Sequence, residues 1–251
     1  MGNRLYLVLC VALVAAVPGY GQKTQQLPED VGQLIVGIAK TWDSDRARIW
    51  CFNRENGTWK SAFQDPVDVL LGRTGLAWGR GALAIPGVES GPFKKEGDRK
   101  TPAGVFAIGK MFGYPSQLPA GSKFSYRQVG KYDAWIDDPK NPLYNQHYVA
   151  KPGTEPSWFQ SQRMRLGDTA YKYKIEVRHN NDPAAPGGGS AIFFHIRRGP
   201  DRPTAGCTTM AEPDLTRVMT WLREKDKPHY VILPKAEYDR LQPILGLPEF
   251  R

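Results

Sequence analysis

The pattern of apolar and polar residues predicts a chain built mostly of short strands. The apolar run from Leu34 to Ala39 is typical of a buried strand, and residues 46–52 and 67–71 have similar composition. Asn56-Gly57 is a strong two-residue hairpin signal, and it leads into a further strand over residues 59–63. These segments lack a helical period, so we expect an antiparallel meander in this part of the chain.

The middle of the chain combines long irregular segments with isolated strands. Residues 72–100 are rich in glycine and predict a long loop, and strands are expected over residues 103–112 and 126–136. Residues 139–165 are again loop-like. Tyr171 to Val177 alternates between apolar and polar residues, which indicates a half-buried strand. The polar positions that such a strand turns to solvent are Lys172, Lys174, Glu176 and Arg178.

The C-terminal part contains the clearest helix. A buried strand is predicted over residues 190–196. Pro213 suits the first turn of a helix, and apolar residues then recur at helical spacing up to Leu222. A strand over residues 230–233 and a short helix over residues 235–241 close the chain. The predicted fold class is therefore mainly β with a few short helices, and we find no internal repeat that would argue for two domains.

The N-terminal segment resembles a secretory signal peptide. Residues 1–21 combine Arg4 with an apolar run that is too short to span a bilayer comfortably. We therefore predict a signal peptide over residues 1–21, one domain over residues 22–251 and no transmembrane span in the mature chain. Cys51 and Cys207 remain in that mature chain. We expect both to be free thiols, with a disulfide as the alternative.

Composition and charge narrow the class of partner. The chain has 251 residues, of which 41% are hydrophobic and 24% charged, as in ordinary globular proteins. Its formal net charge of +9 suits an anionic polymer. The basic residues form no stripe along the chain, so we predict no nucleic-acid partner. For an exported protein, a cell-wall polymer or a membrane surface is the better match.

The candidate chemistry is concentrated where the strand over residues 190–196 ends. His195 lies near the end of this strand, and Cys207 follows in a turn made possible by Gly206. A thiolate is the nucleophilic form of cysteine, and a nearby histidine and positive charge favour it. The loop between the two residues carries Arg197, Arg198 and Arg202. A buried structural cysteine and a structural histidine are the alternative interpretation.

Several motifs in order along the chain resemble one family. The runs SAIFFHI (residues 190–196) and PTAGC (residues 203–207) are similar to the signature of the L,D-transpeptidase catalytic domain, or YkuD-like, family. Residues 95–106 resemble its EGD-x-x-TPAG-x-F segment. Further similarities to one branch of the family are Asp137-Asp138, Tyr144-Asn145, Asn181-Asp182-Pro183 and Gly187 to Ser190. The resemblance covers roughly residues 30–235 and implies a single catalytic β-sandwich domain.

The resemblance implies a cysteine acyltransferase that acts on peptidoglycan stem peptides in the periplasm or cell wall, without a cofactor or a metal. Cys207 matches the nucleophile and His195 the general base. Gly206 matches the motif glycine, and its amide together with that of Cys207 is expected to bind the developing oxyanion. Residues expected to contact the substrate are Arg197, Arg198, Arg202, Tyr144, Asn145 and Thr204.

The chain departs from the commoner family pattern beside the cysteine. Ala205 stands where many members have a second histidine, Thr208-Thr209 follows the cysteine, and the gap from His195 is short. These differences leave transfer or hydrolysis, the acyl acceptor, carbapenem sensitivity and the oligomeric state open. A cysteine hydrolase of the same fold is the main alternative. A non-catalytic wall-binding module and a metal-binding module of His179, His195 and Cys207 are further ones, although the last lacks paired ligand spacing.

Overall fold

A computed structural model describes residues 26–250 of the chain. The predicted signal peptide, residues 1–21, lies outside these described residues. The strands are β1 (Gln33–Ala39), β2 (Arg46–Glu55), β3 (Thr58–Ser61), β4 (Val67–Leu70), β5 (Leu76–Trp78), β6 (Thr101–Gly113), β7 (Tyr126–Gln128), β8 (Asp133–Trp135), β9 (His147–Val149), β10 (Tyr173–Val177), β11 (Phe193–Ile196), β12 (Thr208–Met210) and β13 (His229–Pro234). The helices are α1 (Glu212–Trp221) and α2 (Lys235–Leu245), with short 3-10 turns at Phe159–Gln162, Thr169–Tyr171 and Glu224–Asp226.

Eight of these strands close into a ring. The hydrogen-bonded order is β1-β13-β6-β10-β11-β12-β4-β2, and β2 pairs again with β1. Closure gives a barrel-like core with no unpaired edge among its own strands. β3 continues the sheet beyond β2, while β8 and β9 form a separate hairpin. The predicted mainly β class is confirmed.

The apolar strands meet inside this ring. All but one residue of β1 is buried, because its parallel neighbour β13 and antiparallel neighbour β2 cover both of its edges while side chains pack on both faces. Both helices contribute to the same core, through Leu215 and Val218 of α1 and Leu241 of α2. The hairpin predicted at Asn56-Gly57 is present between β2 and β3, with both residues at positive φ.

Three short elements differ from the sequence-based expectation. The segment over residues 72–100 contains β5, which pairs with the start of β6. The strand expected over residues 126–136 is two strands, because a turn at Gly130, whose N–H donates to the Asp133 carboxylate at 2.8 Å, separates β7 from β8. The segment over residues 139–165 contains β9, the partner of β8. Strands of three residues are too short to show a period of their own.

Of the four polar positions expected to face solvent, Arg178 is exposed and Lys172 is partly exposed, but the expectation was wrong for the two within β10. Lys174 is 3% exposed and Glu176 is 9% exposed. On the outside of the ring a second apolar layer covers this face. Its buried members are Phe112, Val129, Trp135, Met164 and Phe193, and Cys207 packs against them. The segment between β7 and β10 thereby covers part of the outer surface of the barrel and encloses the side chains there.

Candidate active site

The strand register places Cys207 and His195 on the same face of the sheet. β11 and β12 run parallel, with Phe194 opposite Thr208 and His195 opposite Thr209. Cys207 directly precedes Thr208, so it lies beside Phe193, two residues before His195. Because alternate residues of a strand point to the same face, the thiol and the imidazole share a face on neighbouring strands. The parallel pairing of β11 with β12 thus places the predicted nucleophile and base on one face, although a short loop separates them in sequence.

The turn before Cys207 is held by Thr204. Its Oγ1 accepts the Gly206 N–H at 2.9 Å and donates to the Cys207 carbonyl oxygen at 2.6 Å. Gly206 has φ 147, and a Cβ atom there would lie 3.0 Å from the Lys100 carbonyl oxygen. The position therefore needs glycine.

This turn changes what the backbone can offer an oxyanion. The Gly206 N–H, expected to be one of two oxyanion donors, is already engaged by Thr204. The Cys207 N–H has no acceptor among the residues described. Of the two predicted donors, only the Cys207 amide is available to a ligand in this arrangement. The Thr204 side chain stabilises the turn by hydrogen bonds to its backbone.

The Cys207 thiol is half-buried and faces a carbonyl group. Its Sγ lies 3.5 Å from the Ala191 carbonyl oxygen. Ala191 has φ 54, an uncommon conformation for a residue other than glycine. Burial raises the pKa of Cys207, and the Phe193 backbone N–H and the Lys174 charge oppose this rise. The group is therefore a thiol rather than a thiolate at neutral pH in the absence of a ligand.

The His195 imidazole is buried and neutral. Its Nδ1 lies 2.9 Å from the Ile196 carbonyl oxygen, which can only accept, so we assign the proton to Nδ1 and leave Nε2 as an acceptor. Burial lowers the pKa of His195 to about 4. Its ring packs against Tyr171 at a centroid distance of 4.8 Å. A neutral imidazole with a free Nε2 is suited to accept a proton.

Two cavities open on this face. One of about 190 Å³ is lined by Cys207 together with Tyr171, Lys174 and Trp135. The other, of about 410 Å³, is lined by His195 and several basic residues. Tyr171 borders the first cavity and packs on His195, so its ring lies beside both groups. No hydrogen bond joins Sγ to the imidazole within residues 26–250, as is common when no substrate is bound.

The predicted arginines occupy different surroundings. Arg198 pairs with Asp168 at 2.6 Å, and its guanidinium lies over the Tyr171 ring at 4.9 Å. Arg202 lines the His195 cavity together with Arg198 and Arg73. Arg197 is half-buried and borders neither of the two cavities. The basic rim expected around the histidine is thus formed by Arg73, Arg198 and Arg202.

Tyr144 and Asn145 are buried supports of the segment that precedes β11. The Tyr144 hydroxyl donates to Glu96, which also accepts the Ser190 hydroxyl at 2.7 Å. Asn145 Oδ1 accepts the Ala191 N–H at 3.0 Å. Both side chains therefore form hydrogen bonds inside the protein. Their direct contact with a substrate stays a prediction.

Several residues of the site were not singled out from the sequence. Tyr171, Lys174, Trp135 and Phe193 surround the thiol. The first two belong to the alternating segment before β11 and read as an ordinary half-buried strand. Trp135 borders the cavity from the β8–β9 hairpin. Nothing in the sequence indicates that this hairpin packs beside β10 and β11. The position of Lys174 in the site follows only from the register of β10 with β11, in which Lys174 lies opposite His195.

His179 lies apart from the two candidate residues. Its Nδ1 accepts the Arg80 N–H at 3.2 Å, and its Nε2 lies 3.0 Å from the Gly188 carbonyl oxygen. Across the described range, no group of three or more His, Cys, Asp or Glu side chains is placed to hold a metal ion.

Over the same range, no helix has the length and apolar character needed to cross a bilayer. Cys51 and Cys207 are free thiols.

The described residues thus form a closed, mainly β domain that carries a histidine on β11 and a Gly-Cys turn before β12 on one face. Residues 43–231 match the family model of the L,D-transpeptidase catalytic domain, YkuD. This match covers well over half of the chain and includes His195 and Cys207, so the chain belongs to this family. Proteins of the family are generally L,D-transpeptidases and act on peptidoglycan peptides. A search of curated proteins found no significant match.

Proposed function

We propose that this protein is an exported L,D-transpeptidase that cross-links peptidoglycan stem peptides through a thioester on Cys207. One observation carries the proposal: Cys207, directly before β12, and His195, on the parallel neighbour β11, share a face inside the region that matches the family. The chain's +9 charge is compatible with an anionic wall polymer as its surroundings. The cell envelope is accordingly the proposed location.

The acylation step uses the neutral imidazole as a base. His195 Nε2 accepts the thiol proton while Sγ attacks the carbonyl carbon between the third, L-configured centre and the terminal D-alanine. The carbonyl oxygen becomes an oxyanion that the Cys207 N–H stabilises, an interaction typically worth about 2.7–4 kcal/mol per donor. The C–N bond then breaks, and the leaving amine takes the proton from His195. The product is a thioester between the stem peptide and Cys207.

The second step transfers the acyl group to an amine. An amine of a neighbouring stem attacks the thioester carbonyl, His195 accepts its proton, and the thiolate leaves and is reprotonated. Arg73 and Arg202 lie on the His195 side of the site and, unlike Arg198, which is paired with Asp168, have no carboxylate partner among the described residues, so they offer positive charge to carboxylates of the stem peptides. The acceptor would approach from this side, because the imidazole that deprotonates it borders this cavity.

Hydrolysis of the same thioester is the second candidate function. The cavity at Cys207 has a volume of only about 190 Å³, and Ala205 replaces a histidine common in the family. Water needs far less room than a second stem peptide. A carboxypeptidase-type reaction therefore follows from the same acyl-enzyme when no amine can enter.

Mass spectrometry of muropeptide products distinguishes these reactions. The full chain is incubated with tetrapeptide muropeptides: cross-linked dimers indicate transfer, and shortened monomers indicate hydrolysis. Cys207→Ala should abolish both products, whereas Cys51→Ala, which alters a buried thiol in the barrel core, should abolish neither. Product formation by Cys207→Ala at the original rate would contradict the proposed nucleophile.

A further inference from the structure

Lys174 is a buried cation beside the proposed nucleophile. It lies on β10 opposite His195 of β11 and Phe112 of β6. Its Nζ lies 5.2 Å from the Tyr171 ring centroid and 5.3 Å from that of Phe193. Although only 3% exposed, the side chain borders the cavity that Cys207 lines. The ammonium group thus lies against two aromatic rings and borders the same cavity as the sulfur.

The surroundings of Lys174 contain no carboxylate partner. Its ammonium forms neither an ion pair nor a hydrogen bond with any residue of the described range. Lys94, another buried lysine, has the partners that a buried ammonium group usually has. Its Nζ lies 2.5 Å from Asp98 and donates to the Lys95 carbonyl oxygen at 2.7 Å. A buried charge without a counter-charge is costly. Charged groups with such surroundings are concentrated at functional sites, so an anion that forms or binds in this cavity is a candidate partner.

Neither of the two carboxylates near Lys174 is paired with its ammonium group. Asp133 accepts from Arg127 at 2.8 Å and lies 2.7 Å from His147. Asp137 borders the same cavity, but in the described residues it forms no ion pair with Lys174, and Gln162 is its hydrogen-bond partner. The titratable or charged groups that face Lys174 or share its cavity are Tyr171, His195, Arg198, Cys207, Asp133, Asp137 and Arg163. Among them, Cys207 is the one whose anion the proposed reaction requires.

We propose that the Lys174 ammonium is the counter-ion of the Cys207 thiolate and stabilises it while the thioester forms. This inference rests on the proposed function for its role in catalysis, but not for its effect on the thiol. The proton of the thiol still passes to His195 Nε2, and Lys174 keeps its own proton throughout. Its contribution is positive charge in an enclosed site, where charge interactions are stronger than in water.

The proposal gives the reactivity of Cys207 a characteristic pH dependence. Burial lowers the pKa of Lys174 to about 8, and the neighbouring Cys207 opposes this change. As the pH rises through this value the ammonium is lost, and with it the stabilisation of the thiolate. An arginine at this position would keep its charge at any accessible pH.

Alkylation of Cys207 by iodoacetamide tests the proposal without any peptidoglycan substrate. The rate is followed from about pH 6 to about pH 10 by peptide-resolved mass spectrometry, which separates Cys207 from Cys51 and Cys10. In K174M and K174Q we expect the alkylation midpoint to rise by about one pH unit, and the rate at neutral pH to fall about tenfold. K174R should restore the neutral rate. Lys225→Met, at an exposed lysine, should match the wild type.

The outcomes separate the role of Lys174 from the function of the enzyme. A folded K174M or K174Q protein with the wild-type alkylation profile overturns the proposal, and a raised KM for muropeptides would then assign the ammonium to a substrate carboxylate. A shifted profile supports the proposal even if muropeptide assays show no cross-linking. Circular dichroism and thermal unfolding of each variant show whether the fold is retained.

Discussion

The Asn145 Oδ1 accepts the Ala191 N–H at 3.0 Å, and Ala191 in turn presents its carbonyl oxygen to the Cys207 thiol at 3.5 Å. A side chain from the segment before β9 thus fixes the backbone that faces the sulfur. Asn145 also accepts from Trp135 Nε1 and donates to the carbonyl oxygens of His179 and Asn180. All four of its hydrogen-bonding positions are filled.

We expect Asn145→Ala to reduce both stability and activity. Loss of these bonds leaves buried donors and acceptors unpaired, so the free energy of unfolding should fall by about 2–4 kcal/mol. Urea denaturation measures this change, and the muropeptide assay at a temperature where the variant is folded measures the effect on the site. Asn141→Ala, at a half-buried position where Oδ1 only accepts the Leu143 N–H, is the control. Equal effects of both substitutions would contradict the central role of Asn145.

Gly206→Ala should impair the site more than it impairs the fold. At φ 147 an added Cβ lies 3.0 Å from the Lys100 carbonyl oxygen and 3.2 Å from Ile192, so the turn that presents Cys207 must move. We expect a loss of about 1–3 kcal/mol of stability and a much larger loss of activity. Thermal unfolding and product formation measure the two effects.

Gly153→Ala provides the matched control for this substitution. Gly153 also has positive φ, 78, but no atom lies within 4 Å of its added Cβ. It should cost about 1 kcal/mol through backbone strain alone, and the activity should be unchanged. A Gly206→Ala protein with full activity would show that the turn geometry is not needed.

The buried His195 should make the protein sensitive to acid. Its pKa is about 4 in the folded chain and near 6.5 when unfolded, so the unfolded state takes up a proton first. Stability from this residue is fully present above about pH 6.5 and is lost as the pH falls toward about pH 4, by about 3 kcal/mol. Urea denaturation at several pH values measures the slope.

His195→Gln should flatten this pH dependence. His229→Gln is the comparison, because His229 Nδ1 also lies near a backbone carbonyl oxygen, at 2.8 Å, but the residue is only partly buried. We expect a smaller change in slope for that variant. An unchanged slope in His195→Gln would show that other groups dominate the acid transition.

Exposure to a carbapenem should add mass to Cys207 and to no other cysteine of the mature chain. Cys51 is buried in the barrel core, and burial raises its pKa far above the usual range, so this thiol is inert. Intact-mass and peptide mass spectrometry measure the adduct. We expect Cys51→Ala to be acylated at the wild-type rate and Cys207→Ala not at all. An adduct on Cys51 would contradict this assignment.

Much of the barrel was predictable because its strands carry their own signals. The apolar run of β1, the Asn56-Gly57 turn and the apolar spacing of α1 are local features, and each was found close to its predicted position. β5 and β9 were missed because three residues cannot show a period. Their pairing depends on distant strands that no short window contains.

The candidate site was predictable in its two central residues but not in its surroundings. His195 and Cys207 stand out through residue type and motif, and their catalytic roles remain predictions. Lys174 and Glu176 looked like the solvent face of β10, because their burial is produced by Trp135 and Met164 from another part of the chain. Alternation within one strand reports which residues share a face, but not whether that face is later covered.

Closure of the ring has a bearing on self-association. A strand with free amide and carbonyl groups along one side can recruit another chain, yet every strand of the ring is occupied on both sides. At the end of the path, β3 is short and carries the exposed Lys60, whose charge hinders docking of a second copy. The ring itself therefore offers no continuous open edge to a second copy of the chain.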